Sequence, residues 1–286
     1  MTESGLATIR IVLVEPAGSL NVGAIARVMK NMGLQQLVLV KPQCDPLGED
    51  ARLMAVHAAD VLESATVVST LPEALQGCQR AIATTARPRV ATVLEPPRIA
   101  LPWLLESPLP AQGALIFGPE DRGLSNEELN YAQRFVAIPS SPVYPSLNLA
   151  QAVAVCCYEL YQWSQKAEGR RQEAEGRGQD VHPTPYTSLP TPDSRLPTPD
   201  SPPAALDVLE GYYQHLERVL LAIGYLHPHT AASRMQKFRR LFNRALPSSE
   251  EVAMLRGILS QVEWATQQSD ERKNAPSNSP SPTNNH

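Results

Sequence analysis

Residues 9–40, IRIVLVEPAGSLNVGAIARVMKNMGLQQLVLV, contain the pattern that decides the fold. The run 9–15 is rich in Ile and Val, which is typical of a strand buried on both faces. Apolar residues then recur at helical spacing over 21–33, and Gly33 provides a good stop for that helix. The run 37–40 indicates a second buried strand. Two buried strands joined through one helix by short connections predict a βαβ unit, whose strands are parallel.

The same alternation continues to residue 163. The pattern predicts helices over 51–62 and 71–78 and strands over 80–86, 113–120 and 134–139. Ser125 and Glu128 have capping-box spacing, so a further helix is expected to begin there. In 140–163, SSPVYPSLNLAQAVAVCCYELYQW, a proline-broken loop passes without a spacer into a long apolar helix. Strands that alternate with helices predict an α/β domain with a largely parallel sheet.

Composition limits the classes of function. With 286 residues and 43% hydrophobic content, the chain can form one or two domains with a sizeable core. The net charge of -4 means that any contact with nucleic acid has to come from a local basic patch. The four cysteines lack zinc-ligand spacing, so we expect no metal and a reduced, cytoplasmic protein. No signal-like start and no apolar run of about 18 residues are present, so no membrane span is expected.

Composition also predicts the domain boundaries. Residues 1–164 hold the α/β pattern. The segment 165–204 is charged and then rich in proline, which is typical of a flexible linker. Residues 205–266 contain three amphipathic helical patterns, over 206–226, 232–246 and 248–265, so a small helical region is expected there. The polar tail 267–286 is expected to be disordered.

Several common catalytic signatures are absent. The sequence has no P-loop, no G-x-G-x-x-G after the first strand, no H-E-x-x-H and no G-x-S-x-G. Nucleotide-triphosphate, hydride-transfer, metalloprotease and esterase interpretations therefore have little support. Three polar loops instead follow predicted strands, and ligands of open α/β sheets bind at that edge of the sheet.

The first of these segments contains Asn21, Gly23 and Arg27. Asn21 can cap the helix, and Gly23 permits another backbone to approach closely. Arg27 lies in a mostly apolar helix, and an arginine is rarely buried alone. We expect it to meet a carboxylate or a phosphate, although a surface ion pair would satisfy the same spacing.

The other two segments carry acids, glycines and small polar residues. In 118–123, GPEDRG, Glu120 could pair with Arg27 or accept hydrogen bonds from a ligand. Ser146 or Asn148 can present polar groups at the start of the last helix, where a nucleoside or an amino-acid moiety could be held. Each segment taken alone is also compatible with an ordinary capped turn.

Taken together, the three segments resemble the ordered motifs of the SPOUT-class, SpoU/TrmH-like RNA 2′-O-ribose methyltransferases. The matching stretches are NVGAIARVMKNMGL (21–34), LIFGPEDRGLSNEEL (115–129) and IPSSPVYPSLNLAQAVAVCCYE (138–159). The helices of 207–265 resemble the C-terminal region of family members that methylate tRNA. The resemblance covers about 9–163 and 207–265, and it leaves the proline-rich segment outside.

The resemblance implies a sheet with helices on both faces, a trefoil knot near the end of the catalytic domain, and a homodimer whose active site is completed across the interface. It also implies that S-adenosylmethionine binds in the knot, largely through backbone groups. The matching positions are Thr84, Thr85, Ala86, Gly118, Ile138, Pro145, Ser146 and Leu147. Pro145 departs from the family, which often has a small polar residue there, and it removes one backbone N–H.

The resemblance further implies catalytic roles for Asn21, Arg27, Glu120, Ser146 and Asn148. Arg27 would hold an RNA phosphate and stabilise the developing 2′-oxyanion, because a guanidinium is too basic to act as a general base. Ser146 and Asn148 would orient the ribose, and Glu120 would position Arg27.

The expected substrate is cytidine or uridine 32 in the anticodon loop of tRNA. Another RNA such as rRNA, and a catalytically inactive RNA-binding protein with this fold, are the alternatives. The residues expected to contact RNA are basic: Arg87, Arg89, Arg234, Lys237, Arg239, Arg240 and Arg244. On sequence alone, the helix that carries the last five could equally pack on its neighbours with solvated charges.

Overall fold

A computed structural model describes residues 5–85, 93–106, 112–177 and 202–274. Seven strands in these ranges form one sheet: β1 (Ile9–Val14), β2 (Gln36–Val40), β3 (Thr66–Val68), β4 (Arg80–Thr84), β5 (Leu94–Glu95), β6 (Gly113–Phe117) and β7 (Arg134–Val136). Their order is β3-β2-β1-β6-β4-β7-β5, and every pairing is parallel. The predicted parallel α/β domain is therefore confirmed.

Helices cover both faces of this sheet. The sheet domain contains α1 (Ser19–Asn31), α2 (Glu49–Ala55), α3 (Ala59–Glu63), α4 (Leu71–Ala74), α5 (Pro97–Ala100), α6 (Asn126–Leu129) and α7 (Leu149–Arg177). Alternate residues of β1 enter different cores. Ile11 packs in a cluster with α1 and α7, whereas Val12 packs in a second cluster with α4 and Leu129. This alternation follows from the two-residue repeat of a strand, and it explains why β1 is apolar on both faces.

Several helix boundaries differ from the predicted ones. The helix predicted over 71–78 ends at Ala74, and α10 continues to Asn274, into the segment predicted as a disordered tail. Helix α1 begins at Ser19 with Gly18 as its N-cap, so Asn21 lies inside the first turn and is not the cap. The helix predicted over 51–62 is two short helices, because Val56 adopts a φ of +54° between them. Helix α7 continues to Arg177, into the segment predicted as linker. The stop at Gly33 is confirmed, with a φ of +73°.

The C-terminal helices are α8 (Leu206–Ala222), α9 (Ala231–Ala245) and α10 (Ser249–Asn274). They share a core that includes Tyr212, Met235 and Val252. Ser248 and Glu251 cap the start of α10, because each backbone N–H donates to the other residue's side chain. None of the described helices is long and apolar enough to cross a membrane.

These helices pack against one edge of the sheet domain. The Leu206 N–H donates to the Cys78 carbonyl at 2.7 Å, and the Gly77 N–H donates to the Asp207 carboxylate at 3.1 Å. The Asn243 amide also reaches the backbone carbonyls that precede β7. Because these contacts come just before β4 and β7, the C-terminal helices lie at the amino ends of those strands.

Candidate functional site

A pocket opens at the carboxyl ends of β4, β6 and β7, beside the start of α7. It collects seven of the eight residues expected to line a cofactor site: Thr84, Thr85, Gly118, Ile138, Pro145, Ser146 and Leu147. The eighth, Ala86, lies outside the described residues, as do Arg87 and Arg89. Apolar side chains such as Phe117, Leu124 and Val136 supply much of the remaining wall. The predicted residues therefore share one pocket at the edge of the sheet where ligands of this class of fold bind.

Gly118 allows the wall of this pocket to close tightly. A Cβ atom at this position would lie 2.3 Å from the Leu124 backbone nitrogen and 2.5 Å from the Gly123 carbonyl carbon. These are backbone atoms that cannot rotate away as a side-chain tip can. The glycine is therefore required because the segment from Gly118 to Leu124 folds back on itself. Gly23 has a different role, since its Cβ would meet the Ala51 carbonyl oxygen of α2 at 2.1 Å.

Arg122 fastens the same segment to the rest of the domain. Its guanidinium donates to Glu15 at 2.8 Å and to both carboxylate oxygens of Glu128 at 2.9 and 3.0 Å. These hydrogen bonds raise the pKa of Arg122. Burial raises the pKa of Glu128, but its hydrogen bonds with Arg122 and Ser125 lower it by more, so the net shift is downward. The capping box of Ser125 and Glu128 is confirmed. Sequence analysis missed this role of Arg122, because its partners Glu15 and Glu128 are not the acids that stand next to it in the sequence.

A chain of polar side chains joins the three predicted segments next to the pocket. The Asn148 amide donates to Asn21 Oδ1 at 3.0 Å, and the Asn21 amide donates to Glu120 Oε1 at 2.8 Å. The second Glu120 oxygen accepts from the Ala17 N–H at 3.1 Å. Asn148 Oδ1 also caps α7 by accepting from the Ala150 N–H at 2.9 Å. The Ala150 N–H fixes which atom of the Asn148 amide is the oxygen, and the Glu120 carboxylate does the same for Asn21.

Within one chain, Glu120 is not paired with Arg27. Among the described residues, no ion pair joins the two, and the Glu120 carboxylate holds Asn21 instead. Arg27 is exposed on α1, does not line the pocket, and has no hydrogen bond or ion pair with any other described residue. Its guanidinium is therefore available to a group from outside this chain.

Replacing Asn21 by aspartate tests the polar chain. The new carboxylate would face Glu120 without a proton to donate, and like charges at this distance repel. We expect the turnover rate of the site to fall by about tenfold or more. The loss should be larger for Asn21→Asp than for Asn21→Ala. Because Asn21 does not line the pocket, binding of the pocket ligand should change little. Turnover and ligand affinity, measured separately on both variants, check this. An Asn21→Asp protein that works better than Asn21→Ala would contradict it.

The basic helix α9 divides into two faces. Arg234, Lys237, Arg240 and Arg244 are exposed, as expected for an RNA-contacting surface. Arg239 points the other way, and its side chain is only 16% exposed. Its guanidinium makes two hydrogen bonds to Glu210, at 2.5 and 2.8 Å, and lies 4.5 Å from the ring centroid of Tyr213. The expectation that Arg239 contacts RNA is therefore wrong.

Helical spacing could have separated Arg239 from its neighbours. At about 100° per residue, the four exposed cations fall on one side of α9 and Arg239 on the other. Burial alone would lower the pKa of Arg239, but its hydrogen bonds with Glu210 raise it, so it stays charged. Its guanidinium also lies 5.6 Å from the ring of Tyr131 in the sheet domain. Arg239 thus helps to join the C-terminal helices to that domain.

Replacing Arg239 by alanine should lower the free energy of unfolding by about 3 kcal/mol, because Glu210 would keep a half-buried charge without its partner. Its exposed neighbour provides the matched control, and Arg240→Ala should change the free energy of unfolding by less than about 0.5 kcal/mol. Denaturant unfolding of both variants gives the comparison. Equal stability losses in the two variants would show that the Glu210 pair contributes nothing special.

Two further observations bear on the chemistry of the site. The described residues contain no group of histidine, cysteine or carboxylate side chains that could hold a metal ion. The Pro145 carbonyl accepts a hydrogen bond from the Ser140 hydroxyl at 2.8 Å, which fixes the loop where the family's small polar residue is replaced. Pro145 has no N–H to donate, but its carbonyl group takes part in the hydrogen bonding that holds this loop.

Comparisons with known proteins agree with this arrangement. Residues 8–158 match the model of the SpoU rRNA Methylase family, and residues 207–273 match the C-terminal domain of the tRNA methyltransferase TrmJ. The chain is 41% identical over 258 residues to the tRNA (cytidine/uridine/adenosine-2′-O-)-methyltransferase TrmJ of Pseudomonas aeruginosa, covering 89% of this chain and 93% of that one. It is 39% identical to the tRNA (cytidine/uridine-2′-O-)-methyltransferase TrmJ of Klebsiella pneumoniae, covering 90% and 97%.

A solved structure shows that the likeness extends to the fold of both halves. The crystal structure of TrmJ from Z. mobilis ZM4 superposes with a TM-score of 0.70 at 31% identity, and the match covers 89% of this chain and 98% of that one. The resemblance drawn from the three motifs and the C-terminal helices is thereby confirmed. The chain belongs to the SpoU family of methyltransferases, in the branch whose members carry the TrmJ C-terminal domain.

Proposed function

We propose that this methyltransferase transfers a methyl group from S-adenosylmethionine to the ribose 2′-hydroxyl of nucleotide 32, a cytidine or uridine, in the anticodon loop of tRNA in the cytoplasm. The observation that carries the proposal is the polar chain from Asn148 through Asn21 to Glu120, beside a pocket lined by the predicted cofactor residues. The choice of tRNA is supported by relatives named as tRNA 2′-O-methyltransferases.

The pocket suits a ligand that is partly flat and apolar and partly polar. Phe117, Val136 and Leu149 offer apolar surface, and Thr84 and Thr85 stand at the end of β4. Gly118 keeps the backbone of its segment close enough to present N–H and C=O groups. S-adenosylmethionine would supply the electrophilic methyl group when bound. We place the predicted knot at the loop 140–148, which lies over this pocket.

The ribose 2′-hydroxyl is a weak nucleophile, so the protein has to orient it and stabilise the negative charge that develops on its oxygen. Ser146 lines the pocket and Asn148 stands at the head of α7, where both can donate to the ribose. Glu120 and Asn21 act through Asn148 by fixing its amide. A guanidinium is too basic to accept a proton, so Arg27 stabilises the oxyanion and the adjoining phosphate. The methyl–sulfur bond breaks as the oxygen–methyl bond forms, and the hydroxyl proton passes to solvent water.

We further propose that Arg27 acts in the pocket of a partner subunit. It does not line the pocket of its own chain. Helices α1 and α7 pack together, and an apolar surface is exposed on them and on the adjoining loop: Leu20, Val143, Tyr144, Val155 and Tyr158. Val143 and Tyr144 are 90% and 79% exposed. Exposed apolar patches of this kind mark protein–protein interfaces, and a symmetric homodimer would bury the same surface of both copies.

Mixing two impaired variants, assayed with S-adenosylmethionine well below saturation, tests the shared site. Arg27→Ala leaves the pocket intact, and Gly118→Ala leaves Arg27 intact. If each site uses the partner's Arg27, mixed dimers regain one intact site, and random mixing restores about one quarter of wild-type activity. If Arg27 acts within its own chain, no mixed dimer contains an intact site, and the mixture is no more active than the mean of the two variants.

The reaction itself is tested with labelled S-adenosylmethionine and a panel of unmodified tRNA and rRNA transcripts. Nuclease digestion and mass spectrometry then map the methylated ribose. We expect a 2′-O-methyl group at nucleotide 32. Transfer to rRNA alone would reassign the substrate, and binding of both ligands without transfer would make the protein an RNA-binding relative that has lost catalysis.

A further inference from the structure

The turn between α8 and α9 displays three rings on a well-supported backbone. The segment 223–230, IGYLHPHT, exposes Tyr225, His227 and His229, which we call the ring ledge. The two imidazole rings are nearly parallel, with centroids 5.8 Å apart and an angle of 7° between planes. Tyr225 is 53% exposed. Leu226, which lies between Tyr225 and His227 in the sequence, is buried in the core of the C-terminal helices. This contact holds the ledge in place, so the ledge is not the tip of a loose loop.

Four unpaired cations lie on the helix that follows the ledge. Residues 218–249 contain six arginine or lysine residues and no aspartate or glutamate. Arg218 and Arg239 pair with Glu263 and Glu210, whereas Arg234, Lys237, Arg240 and Arg244 have no ion pair with a described residue. Arg234 joins the ledge directly, because its guanidinium lies 5.7 Å from the Tyr225 ring centroid and donates to the Tyr225 carbonyl at 3.1 Å. The other exposed cations of α9 continue along the same side of the helix from Arg234.

Rings beside a row of cations are the combination that binds single-stranded nucleic acid. Phosphates pair with the cations, and unpaired bases stack on the rings with little regard to sequence. A duplex offers phosphates but keeps its bases stacked on each other. We propose that the ring ledge stacks an unpaired base of the RNA substrate while Arg234 and Lys237 hold its phosphates. This inference rests on RNA being the substrate, as proposed above.

The ledge receives a nucleotide far from the pocket of its own chain. The C-terminal helices contact the amino ends of β4 and β7, whereas the pocket lies at their carboxyl ends. The strands between these edges span about 15 Å. A folded RNA is long enough to cover both places. Loss of the ledge should therefore raise the KM for tRNA and leave kcat at saturating tRNA unchanged.

Equilibrium binding at fixed salt tests the ledge with two probes, an unmodified tRNA transcript and a blunt RNA duplex. Tyr225→Leu and the double variant His227→Ala/His229→Ala should each weaken tRNA binding by about tenfold, with no effect on the duplex. Tyr225→Phe keeps the ring and should bind as the wild type does. Lys237→Gln should weaken both probes and lower the salt dependence of binding. Trp264→Leu, in an exposed aromatic residue of α10, provides the matched control and should change neither.

In the binding assay, the stacking proposal is contradicted by unchanged tRNA affinity in Tyr225→Leu, by an equal loss for tRNA and duplex, or by an equal loss in Trp264→Leu. Wild-type protein without measurable affinity for either probe would overturn it as well. A different result would contradict the proposed methyl transfer and leave the stacking proposal intact. Wild-type protein that binds tRNA through the ledge but transfers no methyl group contradicts the reaction and supports the ledge. Efficient methylation with an unchanged KM in Tyr225→Leu contradicts the ledge alone.

Discussion

Replacing Arg27 by alanine is expected to lower the rate of methyl transfer by at least about 100-fold, the effect of removing a group that stabilises charge in a transition state. The affinity for S-adenosylmethionine should change little, because the proposed role of Arg27 is toward the ribose oxygen and the phosphate of the RNA and not toward the cofactor. The guanidinium is exposed and unpaired within the described part of its own chain, so its removal leaves no buried charge and little loss of stability. The loss should therefore appear in kcat, with the fold unchanged.

Two further variants sharpen this prediction. Arg27→Lys keeps the charge but loses the planar fork, so it should recover only part of the activity. Lys30→Ala is the matched control, because Lys30 lies one turn further along α1 and already bonds Asp60 and the His57 carbonyl. Single-turnover rates and calorimetric titration with S-adenosylmethionine separate the two effects. A parallel loss of rate and cofactor affinity in Arg27→Ala would contradict the role given to it.

Local patterns were enough to predict the five inner strands of the sheet and the place of the pocket, but not the short edge strands β3 and β5. The apolar runs of β1 and β2, the stop at Gly33 and the capping box at Ser125 each depend on residues close in sequence. The pocket followed because its walls are the loops at the carboxyl ends of parallel strands, a rule that holds whatever the sequence of the loops. The residues that line it were named by resemblance, which carries tertiary information that periodicity lacks.

Contacts between distant residues could not be predicted in the same way. Asn148 and Asn21 are 127 positions apart, and nothing near either residue indicates that their amides meet. Glu120 was assigned to Arg27 because opposite charges are the simplest partners, but α1 turns Asn21 toward Glu120 and Arg27 away. The break at Val56 has no glycine or proline to mark it. The docking of the C-terminal helices on the amino ends of β4 and β7 likewise depends on tertiary packing.

The polar chain and the arginine clamp make the loop after β6 a single rigid unit. Glu120 is tied to α1 through Asn21, and Arg122 is tied to Glu15 and Glu128. These contacts hold the loop at Glu120 and at Arg122, so the backbone between Gly118 and Leu124 has little freedom to shift. A substitution that adds atoms to this loop should therefore distort the pocket or lower the stability of the fold.

Gly118→Ala is the change that this argument predicts to be most damaging to the pocket. Its Cβ would lie 2.3 Å from the Leu124 nitrogen, well inside van der Waals contact, and the atoms that would have to move belong to the backbone. We expect affinity for S-adenosylmethionine to fall by at least about tenfold, because overpacking that shifts the wall displaces its hydrogen-bonding groups. Calorimetric titration with S-adenosylmethionine gives the affinity, and thermal unfolding gives the accompanying loss of stability.

The control is Gly257→Ala in α10, where an added Cβ meets no atom within 4 Å. Because alanine favours a helix by about 1 kcal/mol over glycine, this variant should be as stable as the wild type or more stable, with unchanged cofactor affinity. The contrast isolates the close approach at Gly118 from any general effect of replacing glycine. If Gly118→Ala binds S-adenosylmethionine as tightly as the wild type, the loop can shift despite the contacts of Glu120 and Arg122. Cofactor affinity then does not depend on the close packing of that wall.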